Sequence, residues 1–94
     1  MVEQIDYVEI FSALGDTTRF KLFKLLAQDE EICVGQMAEH LRITSACVSQ
    51  HMKVLASAGL VDRIRMGQKV CYRISTDLPE KQLLGKLIFN KVGV

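Results

Sequence analysis

A mainly α-helical domain with one small β-hairpin is predicted by two adjacent segments of the sequence. Residues 44–58 have apolar side chains at i, i+4 and i+7, which is the spacing of one helix face. This stripe consists of Val48, Met52 and Leu55. Residues 60–66 and 69–74 then alternate between apolar and polar side chains around Gly67 and Gln68, as a hairpin does. A helix with a polar outer face followed by a hairpin is typical of a winged helix-turn-helix.

Apolar spacing also predicts three helices before residue 44 and one after the hairpin. The first covers about residues 3–14, and the second, capped by Asp16, runs to about residue 28. A third helix has its apolar stripe within residues 34–41, and residues 32–34 are expected to add a short strand before it. The hairpin is therefore preceded by four predicted helices, of which the third and fourth form the helix-turn-helix.

Capping residues predict where the later helices begin and end. Thr44 or Ser45 is expected to cap the fourth helix, and Thr76 or Asp77 the last, because short polar side chains accept hydrogen bonds from unpaired N–H groups. Gly59 is expected to end the fourth helix in the left-handed conformation. The complete order is α-α-(β)-α-α-β-β-α, a single winged-helix domain over residues 1–94.

Charge is distributed unevenly along the chain. Residues 42–73 contain six Lys or Arg residues and one acidic residue, whereas residues 1–41 contain three basic and eight acidic residues. The formal net charge of +1 therefore conceals a basic segment that coincides with the fourth helix and the hairpin. Such a segment indicates a nucleic-acid partner. An ordinary solvated face is the alternative interpretation.

Length and composition limit the remaining classes. Ninety-four residues, 49% of them hydrophobic, make one small domain with apolar side chains to spare for a partner. No apolar run approaches the roughly 18 residues of a membrane span, and the acidic N-terminus lacks the pattern of an export signal. Three cysteines, none of them in a CxxC motif, suit a reducing compartment. We therefore expect a cytoplasmic protein with no membrane partner and no cofactor.

Four segments of the chain resemble the ArsR/SmtB family of winged-helix repressors. They are ALGDTTRFKLFKLL at 13–26, EICVGQMAEHL at 31–41, TSACVSQHMKVLASAGLV at 44–61 and GQKVCYRI at 67–74. The resemblance implies a homodimer joined by the first and last helices, with the fourth helix as the reader of DNA and the hairpin as the wing. The apolar stripes of the terminal helices favour such a dimer, although both stripes could instead pack within their own domain. They comprise Ile5, Val8, Phe11, Leu83, Leu84, Leu87 and Ile88.

The polar face of the fourth helix is the predicted reader, because such a face can enter the major groove and bond to base edges. Gln50 is the best candidate for a base contact, since its amide can pair with adenine through two hydrogen bonds. Lys53 is expected to meet a phosphate, and basic side chains of the wing are expected on phosphates or in the minor groove. His51, which matches a His of the family's reader helix, is equally open to a DNA contact and a structural hydrogen bond. The other predicted contacts are Thr44, Ser45, Ala46 and Ser49 on the helix and Arg63, Arg65 and Lys69 on the wing.

The resemblance also implies sites at which some family members bind metals or undergo thiol chemistry, and these are largely missing here. A cysteine pair at the start of the third helix is reduced to Cys33, because Gly35 occupies the second position. Residues 79–94 of the last helix contain no His, Asp or Cys for the other site types. If a strand forms at Cys33 beside the hairpin, Cys33 and Cys71 could meet as a redox pair or, with His40, as a small metal site. The alternative is that both cysteines fill apolar positions.

The expected function is therefore that of a dimeric, sequence-specific DNA-binding repressor, whose operator is an inverted repeat in double-stranded DNA. A winged helix can also bind partner proteins without reading DNA, and this is the alternative. The basic segment favours DNA, because docking a protein does not require such a charge. An enzyme is disfavoured, because the chain has no Gly-rich phosphate loop and no recognisable catalytic set of Ser, His, Cys or carboxylates.

Overall fold

The computed structural model describes residues 6–76, and their elements follow the predicted order. The helices are α1 (Tyr7–Leu14), α2 (Thr17–Gln28), α3 (Val34–Leu41) and α4 (Ser45–Ser57). The strands are β1 (Ile32–Cys33), β2 (Val61–Met66) and β3 (Lys69–Ile74). The winged helix-turn-helix is thus confirmed, while the predicted last helix lies outside the described residues.

Side-chain caps determine where three of the helices begin. Asp6, Asp16 and Thr44 each accept a hydrogen bond of 3.0 Å from the backbone N–H three residues later. These bonds pair donors that have no partner within the helix. The predicted cap at Asp16 is confirmed, and Thr44 rather than Ser45 caps α4. The predicted start of the first helix near residue 3 is wrong, because Asp6 has an extended backbone and caps a helix that begins at Tyr7.

Left-handed residues end the two helices of the helix-turn-helix. Arg42 follows α3 with φ 58°, and Gly59 follows α4 with φ 77°, as predicted for the latter. In both cases the next residue donates its backbone N–H, at 3.0 Å, to a carbonyl five residues earlier. Glycine adopts this conformation at little cost, whereas arginine does not. The hydrogen bonds and packing of the turn from α3 to α4 therefore hold Arg42 in a backbone conformation that arginine disfavours.

The three strands form one antiparallel sheet with β3 in the centre, in the order β1-β3-β2. β2 was expected to begin at Leu60, but it begins one residue later. Leu60 is instead used to close the end of α4, because its N–H donates to the carbonyl of Leu55 at 3.0 Å. Its own carbonyl accepts from the backbone N–H of Ser75 at 2.9 Å, which joins the end of α4 to the chain that leaves β3.

One hydrophobic core joins the helices to the sheet. Its completely buried members are Leu22, Phe23, Met37, Val48, Met52, Leu55 and Leu60. They include the entire predicted apolar stripe of α4, and burying a side chain of this size stabilises the fold by about 1.5–3 kcal/mol. Because this stripe is fixed in the core, the opposite face of α4 is fixed toward solvent.

Candidate nucleic-acid interface

The outer face of α4 is polar and open to solvent. Its opposite stripe is completely buried, and 3.6 residues per turn place the remaining positions outside. The predicted contacts that are exposed on this helix and its cap are Thr44, Ser45, Ala46, Gln50 and Lys53. Ser49 is half-buried at the edge of the same face. Hydroxyls, one amide and one ammonium group on a regular helix form a surface that can enter a major groove.

His51 lies at the back of this face and is held by α2. Its Nδ1 atom is 3.3 Å from Nη1 of Arg19 and 4.0 Å from Oδ2 of Asp16. Because a guanidinium group can only donate, Nδ1 accepts from Arg19 and the ring proton is assigned to Nε2. His51 therefore makes the structural hydrogen bond that was one of its two predicted roles. Its side chain is 22% exposed, and a DNA contact through Nε2 stays a prediction.

Arg19 connects α2 to both α1 and α4. Its Nε donates to the carbonyl of Ala13 at 2.7 Å, its Nη1 donates to His51, and its backbone N–H donates to Oδ2 of Asp16 at 3.0 Å. The last of these bonds lowers the pKa of the Asp16 carboxyl, because it favours the charged form. Arg19 was not among the residues predicted from the sequence. The signal that could have indicated it is its position three residues after the N-cap Asp16.

The basic side chains of the wing lie on both faces of the hairpin. Arg65 of β2 is opposite Val70 of β3, and Met66 is opposite Lys69. Side chains that are directly opposite each other project from the same face of a sheet, and successive side chains alternate. Arg63 and Arg65 therefore share one face, while Lys69 projects from the other. All three are exposed, and they form two separate basic surfaces.

Most of the wing's positive charge is available to a partner. Arg73 is the exception, since its Nε lies 3.8 Å from Oδ2 of Asp62, across the two strands. In the described part of the chain, Arg63, Arg65 and Lys69 have no carboxylate within 4.0 Å. Exposed cations without a carboxylate neighbour are the groups that neutralise phosphates of a nucleic acid.

A cleft of about 490 Å³ lies between the start of α3, the middle of α4 and the tip of the wing. Side chains from all three elements border it. They include Cys33, Gln36, Glu39, Ser49, Gln68 and Lys69. Because Ser49 of α4 and Lys69 of β3 border the same cleft, the polar face of α4 and one basic surface of the wing adjoin each other.

Cys33 and Cys71 meet at the side of this cleft. Cys33 in β1 is directly opposite Cys71 in β3, and a disulfide joins their sulfur atoms. The short strand beside the hairpin thus brings the two cysteines together, which is one of the alternatives that the sequence left open. The predicted metal site of Cys33, Cys71 and His40 is wrong. His40 is exposed and follows Cys33 by seven residues, which places it about 10 Å away along α3. Within residues 6–76 no group of three or more His, Cys, Asp or Glu residues could hold a metal ion.

The apolar stripe of α1 is largely exposed. Val8 and Phe11 are 80% and 62% exposed, and the ring of Phe11 stacks on that of Tyr7 with centroids 6.5 Å apart. The core is contacted instead by Ile10 and Ala13 of this helix. Packing of Val8 and Phe11 within their own domain is therefore not observed in residues 6–76. The other predicted dimer residues, Ile5, Leu83, Leu84, Leu87 and Ile88, lie outside the described residues.

These features define a winged helix-turn-helix DNA-binding domain. A family model described as "Bacterial regulatory protein, arsR family" matches residues 16–63, which include α2, α3 and α4. The chain belongs to the ArsR family, whose members are DNA-binding transcriptional regulators and not enzymes. In the described part of the chain, no helix has both the length and the apolar character needed to cross a membrane.

Individual relatives support this assignment. The arsenic resistance transcriptional regulator ArsR1 of Pseudomonas putida is 32% identical over 71 residues, which cover 76% of this chain but 56% of ArsR1. The chain thus spans little more than half the length of that relative. The transcriptional repressor SdpR of Bacillus subtilis is 30% identical over 84 residues, covering 89% of this chain and 92% of SdpR. The homodimeric winged helix-turn-helix domain Mb0332 of Mycobacterium bovis has a TM-score of 0.78 and 26% identity, covering 99% and 91% of the two chains.

Proposed function

We propose that this chain is a homodimeric, sequence-specific transcriptional repressor that acts in the cytoplasm. α4 lies in the major groove of an operator, and the wing contacts the neighbouring backbone or minor groove. The observation that supports this most directly is the cleft at which the polar face of α4 adjoins the exposed cations of the wing. A helix that reads bases needs such flanking cations, because phosphate contacts position the reader while base contacts specify the sequence.

On α4 the proposed division of roles follows position along the helix. Gln50 is exposed in the middle of the helix, where its amide can reach a base edge. Thr44, Ser45 and Ala46 lie at the N-terminal end, where hydroxyl and backbone N–H groups meet phosphate or the first bases. Lys53 lies two turns further on, where the helix leaves the groove and a phosphate is the expected partner.

On the wing the two faces serve different parts of the DNA backbone. Lys69 borders the cleft beside Ser49, so it meets the phosphates that pass between α4 and the wing. Arg63 and Arg65 project from the opposite face of the hairpin, toward the next phosphates or the minor groove. The guanidinium of Arg65 is held near the tip of the wing, because its Nε donates to the carbonyl of Gly67 at 3.3 Å.

The proposed dimer uses the exposed stripe of α1. Tyr7, Val8 and Phe11 are the large apolar side chains exposed on this helix. A second copy of the chain would cover them, and the homodimeric state of the similar domain Mb0332 supports a dimer. Phe11→Ser should therefore lower the molar mass measured by light scattering toward that of one chain. Met66→Ser, which removes a 50% exposed apolar side chain from the wing, is the control and should leave the mass unchanged.

Selection of random duplex DNA on the purified protein, followed by sequencing, tests the proposed specificity. Enrichment of an inverted repeat with half-sites about one helical turn apart is the expected result, because two reader helices related by a twofold axis bind in this way. A repressor is further expected to reduce transcription from a promoter that overlaps this repeat. A correctly folded protein that enriches no sequence would contradict the proposal and favour a winged helix that binds proteins.

A further inference from the structure

The disulfide joins the start of α3, which borders the cleft beside α4, to the wing of the proposed DNA interface. Cys33 immediately precedes Val34, the first residue of α3, and Cys71 lies in the middle of β3 in the wing. β1 consists of two residues, so its backbone pairing with the wing is limited to Ile32 with Tyr72 and Cys33 with Cys71. The covalent bond therefore reinforces a very short attachment between the helix-turn-helix and the wing.

The two cysteines differ in their access to solvent. Cys71 is completely buried, whereas Cys33 is partly exposed and borders the cleft of about 490 Å³. Cys33 is also the N-cap of α3, where the positive end of the helix favours a negatively charged group. A partly exposed sulfur in this position is the one that a small oxidant reaches first, since the thiolate is the reactive form.

We infer that Cys33 and Cys71 form a reversible redox pair that makes DNA affinity depend on the thiol state of the protein, an inference that rests on the proposed function. The oxidant is a hydroperoxide. The Cys33 thiolate attacks one peroxide oxygen, an S–O bond forms, the O–O bond breaks, and water or an alcohol leaves after proton transfer. The Cys71 thiol then attacks the sulfenic sulfur, the S–S bond forms as the S–O bond breaks, and the hydroxyl group leaves as water after proton transfer. Two electrons pass from the two thiols to the peroxide, and a dithiol reductant reverses the change by exchange.

The disulfide form is the form that binds DNA more tightly. With the bond in place, α4 presents its polar face and Lys69 adjoins it across the cleft. After reduction, β1 is held to the wing by its two-residue pairing and by the packing of Ile32 against Tyr72, so the start of α3 is held less firmly against β3 and DNA must fix their relative position when it binds. Ordering of this kind weakens binding, and we expect oxidation to raise operator affinity about two- to tenfold.

The chemistry can be tested independently of DNA. The reduced protein should contain three reactive thiols under denaturing conditions, and the peroxide-treated protein one, that of Cys47. Trypsin places the three cysteines on different peptides, because a Lys or Arg separates each from the next. The oxidised digest should contain peptide 25–42 linked to peptide 70–73, and a dithiol should separate them. Three thiols after peroxide treatment, or a link through Cys47, would overturn the inference.

Operator affinity is then measured by fluorescence anisotropy for the oxidised and reduced proteins at one salt concentration. The wild-type protein should bind more tightly when oxidised, and Cys33→Ser should bind equally in both conditions. Cys33 is partly exposed, so this variant should fold; Cys71→Ala provides a second variant that lacks the pair. Equal binding by the oxidised and reduced wild-type proteins would refute redox control even if the disulfide forms. Weaker binding by the oxidised protein would overturn the assignment of the disulfide form as the tighter binder. Loss of specific binding in both states would refute the proposed function itself, and the peptide map would still show whether the bond forms.

Discussion

The side-chain hydrogen bonds of Arg19 predict a measurable contribution to stability. Arg19→Ala removes the bond of 2.7 Å to the carbonyl of Ala13 and the bond of 3.3 Å to His51, and retains the backbone bond to Asp16. A hydrogen bond from a charged donor contributes about 1.5–3 kcal/mol, and a long one contributes less. Because these groups are only part-buried, we expect Arg19→Ala to lower the free energy of unfolding by about 2–3 kcal/mol.

Arg19→Lys separates geometry from charge. Lysine keeps the positive charge, but its single ammonium group cannot reproduce the planar fork with which Arg19 contacts α1 and α4 at once. We therefore expect a loss of at least about 1 kcal/mol. Urea titration followed by circular dichroism measures both variants, at one protein concentration because the stability of a dimer depends on concentration. Lys21→Ala, which removes an exposed charge from the same helix, should change stability by less than about 0.5 kcal/mol.

A double-mutant cycle with His51→Ala tests the specific link between α2 and α4. The coupling energy between Arg19 and His51 should be about 0.5–1 kcal/mol, because one hydrogen bond joins them. If the free energies of unfolding of Arg19→Ala and the wild-type protein differed by less than about 0.5 kcal/mol, the stabilising role assigned to the Arg19 cluster (Asp16, Arg19 and His51) would be refuted. A coupling energy of zero, together with a large effect of Arg19→Ala, would locate the whole contribution at the carbonyl of Ala13.

Three further predictions concern the interface, the disulfide and pH. Gln50→Ala should cost about 1–3 kcal/mol on the selected operator and little on random DNA, whereas Arg65→Ala should weaken both and reduce the salt dependence by about one unit; equal losses of Gln50→Ala on both DNAs would contradict the assigned reader face. Reduction of the Cys33–Cys71 bond should lower the free energy of unfolding by about 3–4 kcal/mol in urea titrations, because the bond spans a sequence separation of 38 residues, and Cys33→Ser should show no dependence on reductant. Folding lowers the pKa of Asp16, so its contribution is present above the ordinary value of 3.8 and is lost as the pH falls through the folded value. Asp16→Asn, which still caps α2, should therefore lose less stability than the wild-type protein between pH 5 and pH 2, and identical acid profiles would exclude the effect.

Local patterns were sufficient to predict the framework of this domain. The buried stripe of α4, the cap at Asp16 and the left-handed Gly59 each depend on residues within a few positions of one another. The start of α1 was predicted too early because apolar spacing continues through Ile5, whereas the extended backbone of Asp6 begins the helix at Tyr7. A cap overrides periodicity at a helix end, since the first turn has few packing contacts to oppose it.

The Arg19 cluster was beyond such patterns because its partners are distant in sequence. Asp16 precedes Arg19 by three residues, but His51 follows it by 32. Nothing in the alternation or spacing of α4 indicates that the imidazole turns toward α2 rather than toward DNA. Its direction depends on how α2 and α4 cross, which is a property of the packed core rather than of either helix.

The pairing of the two cysteines shows how a buried apolar contact can determine the position of a reactive group. Period-two alternation already places Cys71 and Tyr72 on different faces of β3, but it does not predict which residue of β1 pairs with Cys71. Ile32 is 7% exposed and lies opposite Tyr72, which is 2% exposed. A slip of one residue would expose Ile32 and turn Cys33 to the other face of the sheet. Burial of Ile32 against Tyr72 therefore selects the register, and that register places Cys33 opposite Cys71.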